Sequence, residues 1–249
     1  MQAYWTLTRR ELAGFFLSLT GYVIMAGAAF LVGISLWSLV KNLQGEPTTA
    51  PITEMFCYSY LFWFIVLLGT TVITMRLFAL EKFSGTFETL MTTPVNDAQV
   101  VAAKFTAAMV FYLVSWLPLL GCVFILRHYA SNASGFDGGV IGSTFIGIFL
   151  LGGVFISMGC FASALTQTQM VAAMISLVLN IGLFVISFLS DKLPSADWKS
   201  QTLALFALPD QMHDFARGIV DTRSVVFYLS LTFFFLFLTL RVLESRRWK

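Results

Sequence analysis

Long apolar runs separated by polar intervals divide the chain into six segments. Each run is close to the length of about 20 residues that an α-helix needs to cross a membrane, and none alternates like a barrel strand. The pattern predicts an all-α integral membrane protein with a single transmembrane domain, 1–249. The predicted spans are 15–40, 55–75, 105–126, 140–165, 170–190 and 224–240.

The polar interval between the second and third spans has a helical period of its own. On a helical wheel, one face carries Glu81, Gly85 and Glu88. The opposite face carries Leu80, Phe83, Phe87, Leu90 and Met91. This separation predicts a helix over 80–93 that lies along the membrane surface and ends before Pro94. An ordinary interfacial connector is the alternative interpretation.

Local signals mark where other helices begin and bend. Asn96, with Gln99 in the capping-box position, predicts the start of the third span's helix. Pro118 predicts a kink in that span. Asp221 is expected to cap the last span.

The interval 191–223 mixes apolar and polar residues. Pro209 is expected to stop a short apolar run, Asp210 to cap a short helix over 211–217, and Gly218 to end it. The interval therefore predicts a pair of short extracellular helices before the sixth span. A surface loop with one helical turn is the alternative.

The first 14 residues form an amphipathic segment. Thr8 and Glu11 fit a capping box, and Arg9 and Arg10 precede the first apolar run. We interpret the segment as an N-terminal elbow helix at the interface. A signal peptide is disfavoured, because the run 15–40 is longer than a signal sequence's apolar core and no small-residue cleavage site follows it.

Composition and charge agree with the membrane assignment. The chain is 58% hydrophobic and 11% charged, with a mean hydropathy of +0.83, whereas soluble domains carry about 25% charged residues. The net charge of +2 argues against a nucleic-acid partner. Six spans place both termini on one side, and nine of the 15 basic residues fall on that side, which favours cytoplasmic termini.

The spans carry little chemistry. No charged residue lies well inside a predicted span, which disfavours an ion-coupled carrier. Asn180 is the most polar group near the middle of a span, and we interpret it as an interhelical hydrogen bond. No GxxxxGK[ST] phosphate loop occurs, so energy for transport is expected to come from another subunit. We expect no catalytic residues and no metal site.

Pairs of small residues four apart allow helices to approach closely, within one subunit or between two. These packing or dimer candidates are Ala29 with Gly33, Gly153 with Ser157, and Gly159 with Ser163.

Two stretches resemble a known family. The segment 75–105 resembles the cytoplasmic coupling region of ABC-transporter permeases of the type-2 exporter family, through Glu81, Gly85, Thr86, Glu88 and the pair Thr93-Pro94. The chain also looks like the gliding-motility-type (GldF-like) branch of that family, through Arg217-Gly218 and Glu244-Ser245-Arg246-Arg247.

The resemblance implies a multi-pass permease subunit of the bacterial inner membrane. It implies a cytoplasmic coupling helix between spans 2 and 3, on which two copies of an ABC ATPase subunit act. The docking residues would be Glu81, Lys82, Gly85, Thr86, Glu88 and Thr89. ATP and Mg would be held by the ATPase, with no cofactor on this chain. A second permease subunit would complete a homodimer or heterodimer in the lipid bilayer.

The role implied is export or work in an envelope machine, and the sequence does not indicate the substrate. A non-transporting membrane scaffold subunit of an envelope complex is the alternative function.

Overall fold

The computed structural model describes residues 2–43, 51–86, 96–129, 137–190 and 206–247, and the regular structure in these ranges is entirely helical. The helices are α1 (Gln2–Phe16), α2 (Leu19–Leu43), α3 (Ile52–Tyr58), α4 (Tyr60–Thr74), α5 (Ala79–Phe83), α6 (Asp97–Ser115), α7 (Leu117–Tyr129), α8 (Gly138–Leu165), α9 (Gln169–Ser190), α10 (Leu208–Ala216) and α11 (Thr222–Arg247).

Six segments of the described chain are long and apolar enough to cross a membrane, as predicted. They are Leu19–Asn42, Tyr60–Phe83, Asp97–Ile125, Gly138–Leu165, Gln169–Ser187 and Thr222–Ser245. The first span begins later than predicted because α1 continues to Phe16, and a turn at Leu17 and Ser18 separates α1 from α2. Two spans are composite: α6 and α7 meet at a break at Trp116, just before Pro118, and α4 is followed by α5.

Helix α8 is the centre of the bundle. In an apolar stretch of 18 residues within its span, 78% of the residues are buried, against 17% for the matching stretches of the spans of α2 and α11. It packs against α4, α6, α9, α10 and α11. Glycines allow two of these approaches: a Cβ at Gly152 would lie 2.2 Å from Cε1 of Tyr112 in α6, and one at Gly159 would lie 2.1 Å from Oγ1 of Thr74 in α4.

Two local signals for helix starts were correct, whereas the capping box at Thr8 and Glu11 was wrong, because Thr8 lies inside α1 and its hydroxyl donates to the carbonyl oxygen of Tyr4 at 2.9 Å. Asn96 caps α6, with its side chain accepting from the amide of Ala98. Asp221 accepts from the amide of Arg223 at 2.9 Å as α11 begins. These caps satisfy amide groups that the first turn of a helix leaves unpaired.

The prediction for the short helix before the last span was partly wrong. Helix α10 starts at Leu208, so Pro209 lies in its first turn and Asp210 is not its cap. Proline is favoured there because amide groups in the first turn make no intrahelical hydrogen bond, so a residue without an N–H group loses none. Gly218, with φ of 92°, follows the end of the helix as expected.

Candidate functional site

Four charged side chains meet where α1, α5 and α6 come together. The Nζ atom of Lys104 lies 3.1 Å from Oε1 of Glu11 and 3.0 Å from Oε2 of Glu81. A terminal nitrogen of Arg10 lies 2.9 Å from Oε1 of Glu11 and 3.0 Å from Oε1 of Glu81. Acids and bases therefore alternate around a closed, electrically neutral ring. We call Arg10, Glu11, Glu81 and Lys104 the charge ring.

Burial explains why the ring needs two acids around Lys104. Its side chain is only 2% exposed, and its ammonium also lies 5.4 Å from the centre of the Phe78 ring. An unpaired ammonium at such a site is strongly disfavoured. Arg10 is half exposed, and its hydrogen bond to Glu11 raises the pKa of its guanidinium above the ordinary value.

Helix α1 is fixed to α6 at points on both sides of the ring. The hydroxyl of Tyr4 donates to Oγ1 of Thr106 at 3.0 Å. Nearer the end of α1, the Phe15 ring stacks on the Phe111 ring with centres 4.9 Å apart. The N-terminal helix is thus packed along the third span and held there by polar and aromatic contacts as well as by charge.

Helix α5 is fixed to the end of α8. The hydroxyl oxygen of Ser163 accepts from the amides of Phe78 and Ala79, at 3.0 and 3.1 Å. The ammonium of Lys82 donates to the carbonyl oxygen of Ala164. Since the charge ring holds the same short helix against α1 and α6, α5 is anchored on two sides.

The end of α5 forms an exposed tip. Phe83 is 74% exposed, and Ser84, Gly85 and Thr86 are exposed. Gly85 has φ of 71°, and its amide bonds back to the carbonyl of Lys82. This left-handed residue ends the helix. Glycine suits the position because the left-handed conformation is costly for a residue with a Cβ.

The structure of the tip differs from the surface helix that the sequence predicted. A continuous helix over 80–93 is wrong, because α5 ends at Phe83 and Gly85 leaves the helical conformation. The helical wheel therefore misplaced Glu81, whose carboxylate turns inward to the charge ring. Of the other candidate docking residues, Lys82 bonds to α8, whereas Gly85 and Thr86 lie at the exposed tip. Glu88 and Thr89 lie outside the described residues.

Sequence reasoning missed the charge ring itself. Arg10, Glu11 and Lys104 were not candidate site residues. The available signal was that an acid in the amphipathic start and a lysine at the head of the third span were predicted on the same side of the membrane as Glu81. An acid and a base at one interface are candidates for pairing.

The small-residue pairs of α8 pack within this chain. Gly153 faces Thr232 of α11, Gly159 faces Thr74 of α4, and Ser157 is fully buried. Ser163 caps the start of α5. Ala29 and Gly33 of α2 differ, since both are only partly buried and a Cβ at Gly33 would meet no atom within 4 Å.

Asn180 links two spans, as interpreted from the sequence. Its amide nitrogen donates to the hydroxyl oxygens of Thr70 and Thr71 of α4, both at 3.4 Å, and its side chain is fully buried. Nearby, Oγ1 of Thr74 lies 3.5 Å from Oγ of Ser176. These groups join α4 to α9 through polar contacts inside the membrane-spanning region.

A second group of charges lies at the opposite end of the bundle. Glu54 of α3 accepts from Nε of Arg217 at 2.9 Å, and Nε2 of His213 of α10 lies 2.9 Å from the same carboxylate oxygen. The hydroxyl of Thr53 also donates to the carbonyl of Ala216. Because α4 separates Glu54 from Glu81, the two charge groups lie at opposite ends of the second span.

Comparison with known proteins gives one family. A family model described as ABC-2 family transporter protein matches residues 20–187, more than half of the chain. No curated protein matches the chain. The matched region begins in α2 and ends in α9, so it includes α5, Glu81 and Lys104.

Proposed function

Because the chain belongs to the ABC-2 transporter family, we propose that it is a permease subunit moved by a separate ATPase through the tip of α5. Six candidate membrane spans support the permease assignment. The observation that carries the proposed mechanism is the buried Lys104, which joins α1, α5 and α6 through Glu11 and Glu81.

The anchoring of α5 determines how a push on its tip would spread. The exposed tip offers a partner a surface, while the rest of α5 is held to α1 and α6 by the charge ring and to α8 by Ser163. Removing one partner of a buried ion pair costs about 3–5 kcal/mol. The three helices and the end of α8 therefore move together, as a packed unit does in rigid-body coupling.

The proposal places the charge ring and the tip at the cytoplasmic end. The excess of basic residues on the side of the termini supports this orientation. Glu54, His213 and Arg217 then lie at the outer end. Within the proposal, helix α1 is the elbow, α5 with the chain that follows it is the coupling region, and α10 is an extracellular helix.

The finer assignments rest on the resemblance. We place the chain in the gliding-motility-type branch, in a bacterial inner membrane, with export or an envelope machine as its role. Two ATPase subunits bind ATP and Mg, and a second permease subunit completes the complex.

Affinity purification of the full chain from its own membranes tests the proposal. We expect an ABC ATPase to copurify, identified by mass spectrometry and by labelling with a photoreactive ATP analogue. Thr86→Arg at the tip is expected to reduce the copurified ATPase at least about tenfold, a loss of about 1.4 kcal/mol.

Thr222→Arg is the matched control, because it makes the same change at an exposed threonine at the opposite end. It is expected to leave the copurified ATPase unchanged. Equal ATPase recovery from the wild type and the Thr86→Arg chain would contradict docking at the tip. A stable complex in which ATP changes no distance within the permease would favour the scaffold function instead.

A further inference from the structure

Two cavities lie one after the other along one face of α2, beside the consecutive helices α3 and α4. We call them together the crevice, with an inner compartment lined by Val23 to Leu31 of α2 and an outer compartment lined by Ser35 to Asn42. On α2 the lining residues recur every three or four positions and so occupy one face. From the inner to the outer compartment this face reads Ile24, Gly27, Leu31, Ser35, Ser38 and Asn42.

The inner compartment is apolar and has a volume of about 250 Å³. Val23 and Leu31 of α2 face Ile65 and Leu68 of α4, and Trp116 after α6 also lines it. The apolar lining of this compartment suits a hydrocarbon chain.

Two glycines leave the walls of the inner compartment open. A Cβ at Gly27 or at Gly69 would meet no atom within 4 Å. Both positions therefore have room for a Cβ where they line the compartment.

The outer compartment is larger, about 630 Å³, and has a polar wall. Glu54 and His213 line it together with the hydroxyls of Ser35, Ser38 and Ser59. Arg217 adjoins this wall, since its Nε bonds to Glu54. The compartment thus presents one acid beside an imidazole and a guanidinium, with hydroxyl groups around them.

The spacing of the compartments matches one leaflet of a bilayer. Gly27 and Ser38 are eleven residues apart on α2, which is about 16 Å along a helix. Half of the hydrocarbon core is about 15 Å thick. A molecule with its head in the outer compartment would therefore place its chain in the inner one.

We propose that this crevice binds one zwitterionic phospholipid-like amphiphile. Its ammonium lies against the carboxylate of Glu54, its phosphate lies against the guanidinium of Arg217, and one acyl chain occupies the inner compartment. A head with both charges fits because an anionic head alone would oppose Glu54 and a cationic head alone would oppose Arg217. Arginine is suited to phosphate because its nitrogens can donate in pairs.

A second copy of the chain is the competing occupant. Its helix would cover the apolar compartment but would have to place complementary charges beside Glu54 and Arg217. The exposed face of α2 next to the crevice carries Phe30, Ile34 and Trp37, with Lys41 over the Trp37 ring at 5.3 Å. A second copy would therefore bring a cation, which suits Glu54 but opposes Arg217.

Lipid binding is a property of this chain alone. Its consequence, that an amphiphile of this class is the cargo, rests on the proposed permease function.

Native mass spectrometry of the full chain, purified in detergent and stripped of lipid, tests the proposal. The probes are palmitoyl-oleoyl phosphatidylethanolamine and the anionic palmitoyl-oleoyl phosphatidylglycerol, each added at equal concentration. We expect one phosphatidylethanolamine bound per chain, with weaker binding of phosphatidylglycerol.

Gly69→Leu fills the inner compartment and is expected to weaken phosphatidylethanolamine binding at least about tenfold. Gly27→Leu serves as a second variant if Gly69→Leu does not fold. Gly182→Leu in α9 is the matched control, because a Cβ there also meets no atom within 4 Å and the position lies outside the crevice. Glu54→Gln is expected to reduce the preference between the two lipids.

Equal binding of the two lipids, or binding unchanged by leucine at both glycines, would overturn the proposal. So would a dimer whose dissociation is required before lipid binds. The assay contains no ATPase, so its failure leaves the proposed permease function standing. Loss of ATPase copurification would conversely leave lipid binding intact.

Discussion

The ammonium of Lys104 lies 3.0 Å from a carboxylate oxygen of Glu81. Lys104 is two turns into the third span's helix, and Glu81 belongs to the short helix that follows the second span. Their contact joins the short helix α5 to the helix of the third span. The same ammonium reaches Glu11, so the N-terminal helix is joined to both.

Removing the ammonium of Lys104 should destabilise the protein. Lys104→Met keeps most of the side chain's length but leaves Glu11 and Glu81 facing each other with Arg10 alone. We expect the free energy of unfolding in detergent to fall by about 3 kcal/mol, the lower end for buried pairs, because both carboxylates are still partly exposed.

Arg241→Ala is the control for Lys104→Met. Arg241 pairs with Glu244 at 2.9 Å on the exposed surface, and such pairs contribute about 1 kcal/mol or less. Equal losses from the two variants would show that the charge ring adds nothing beyond an ordinary surface pair.

Glu81 and Lys104 should be energetically coupled. A double-mutant cycle of Glu81→Gln and Lys104→Met isolates their interaction from the packing of each side chain. We expect a coupling energy of about 1–3 kcal/mol in unfolding. A cycle of Arg241→Ala and Glu244→Ala should give about 0.5 kcal/mol or less, as exposed helical pairs do. A value for Glu81 and Lys104 as small as this would refute the energetic coupling of α5 to α6.

Gly85 should resist replacement for reasons of backbone conformation alone. A Cβ there meets no atom within 4 Å, yet φ is 71°. Gly85→Ala is expected to lower the free energy of unfolding by about 1 kcal/mol because alanine is strained in the left-handed region. Gly85→Asn should cost less, since asparagine tolerates that region.

Gly121→Ala in α7 is the control, and we expect it to change the free energy of unfolding in the opposite direction. Its site is equally open but helical, so alanine is expected to stabilise by about 0.5–1 kcal/mol. If both alanine variants stabilise, the tip of α5 does not hold Gly85 in the left-handed conformation.

The close approach of α4 to α8 should prevent replacement of Gly159 by a larger residue. An added Cβ would lie 2.1 Å from Oγ1 of Thr74, whose side chain is fully buried. Gly159→Ala is expected to lower the free energy of unfolding by about 1–3 kcal/mol, as overpacking does elsewhere. Gly182→Ala, at an open site, should have no such cost; a tolerated Gly159→Ala would mean that the two spans pack more loosely.

Sequence alone predicted the features that local patterns determine. Six apolar runs gave six candidate spans, and Asn96, Pro118 and Asp221 marked helix starts and a break within about a turn. Such signals depend on the chemistry of a few neighbouring residues. The amphipathic start likewise proved to be a helix, Gln2–Phe16.

The predictions from sequence failed where contacts between residues distant in the chain determine the local structure. Glu81 was assigned to an outer face because a helical wheel assumes an unbroken helix, whereas Gly85 ends α5 and Lys104 draws the carboxylate inward. The helical periodicity of the sequence predicts neither the left-handed turn at Gly85 nor the contact between Glu81 and Lys104. Pro209 was misread in the same way, because a proline suits both the end of one segment and the first turn of the next helix.

Cysteine labelling tests most directly whether the tip of α5 lies in the cytosol under an ATPase. Ser84→Cys, in a chain with Cys122→Ser, is read with a membrane-impermeant maleimide; Cys57 and Cys160 are buried. Arg217→Cys reports on the opposite end. We expect Ser84→Cys to react only in inside-out vesicles and to be protected there when the ATPase is bound. Arg217→Cys is expected to react in intact cells. Labelling of Ser84→Cys from outside intact cells, or labelling unaffected by the ATPase, would contradict the account.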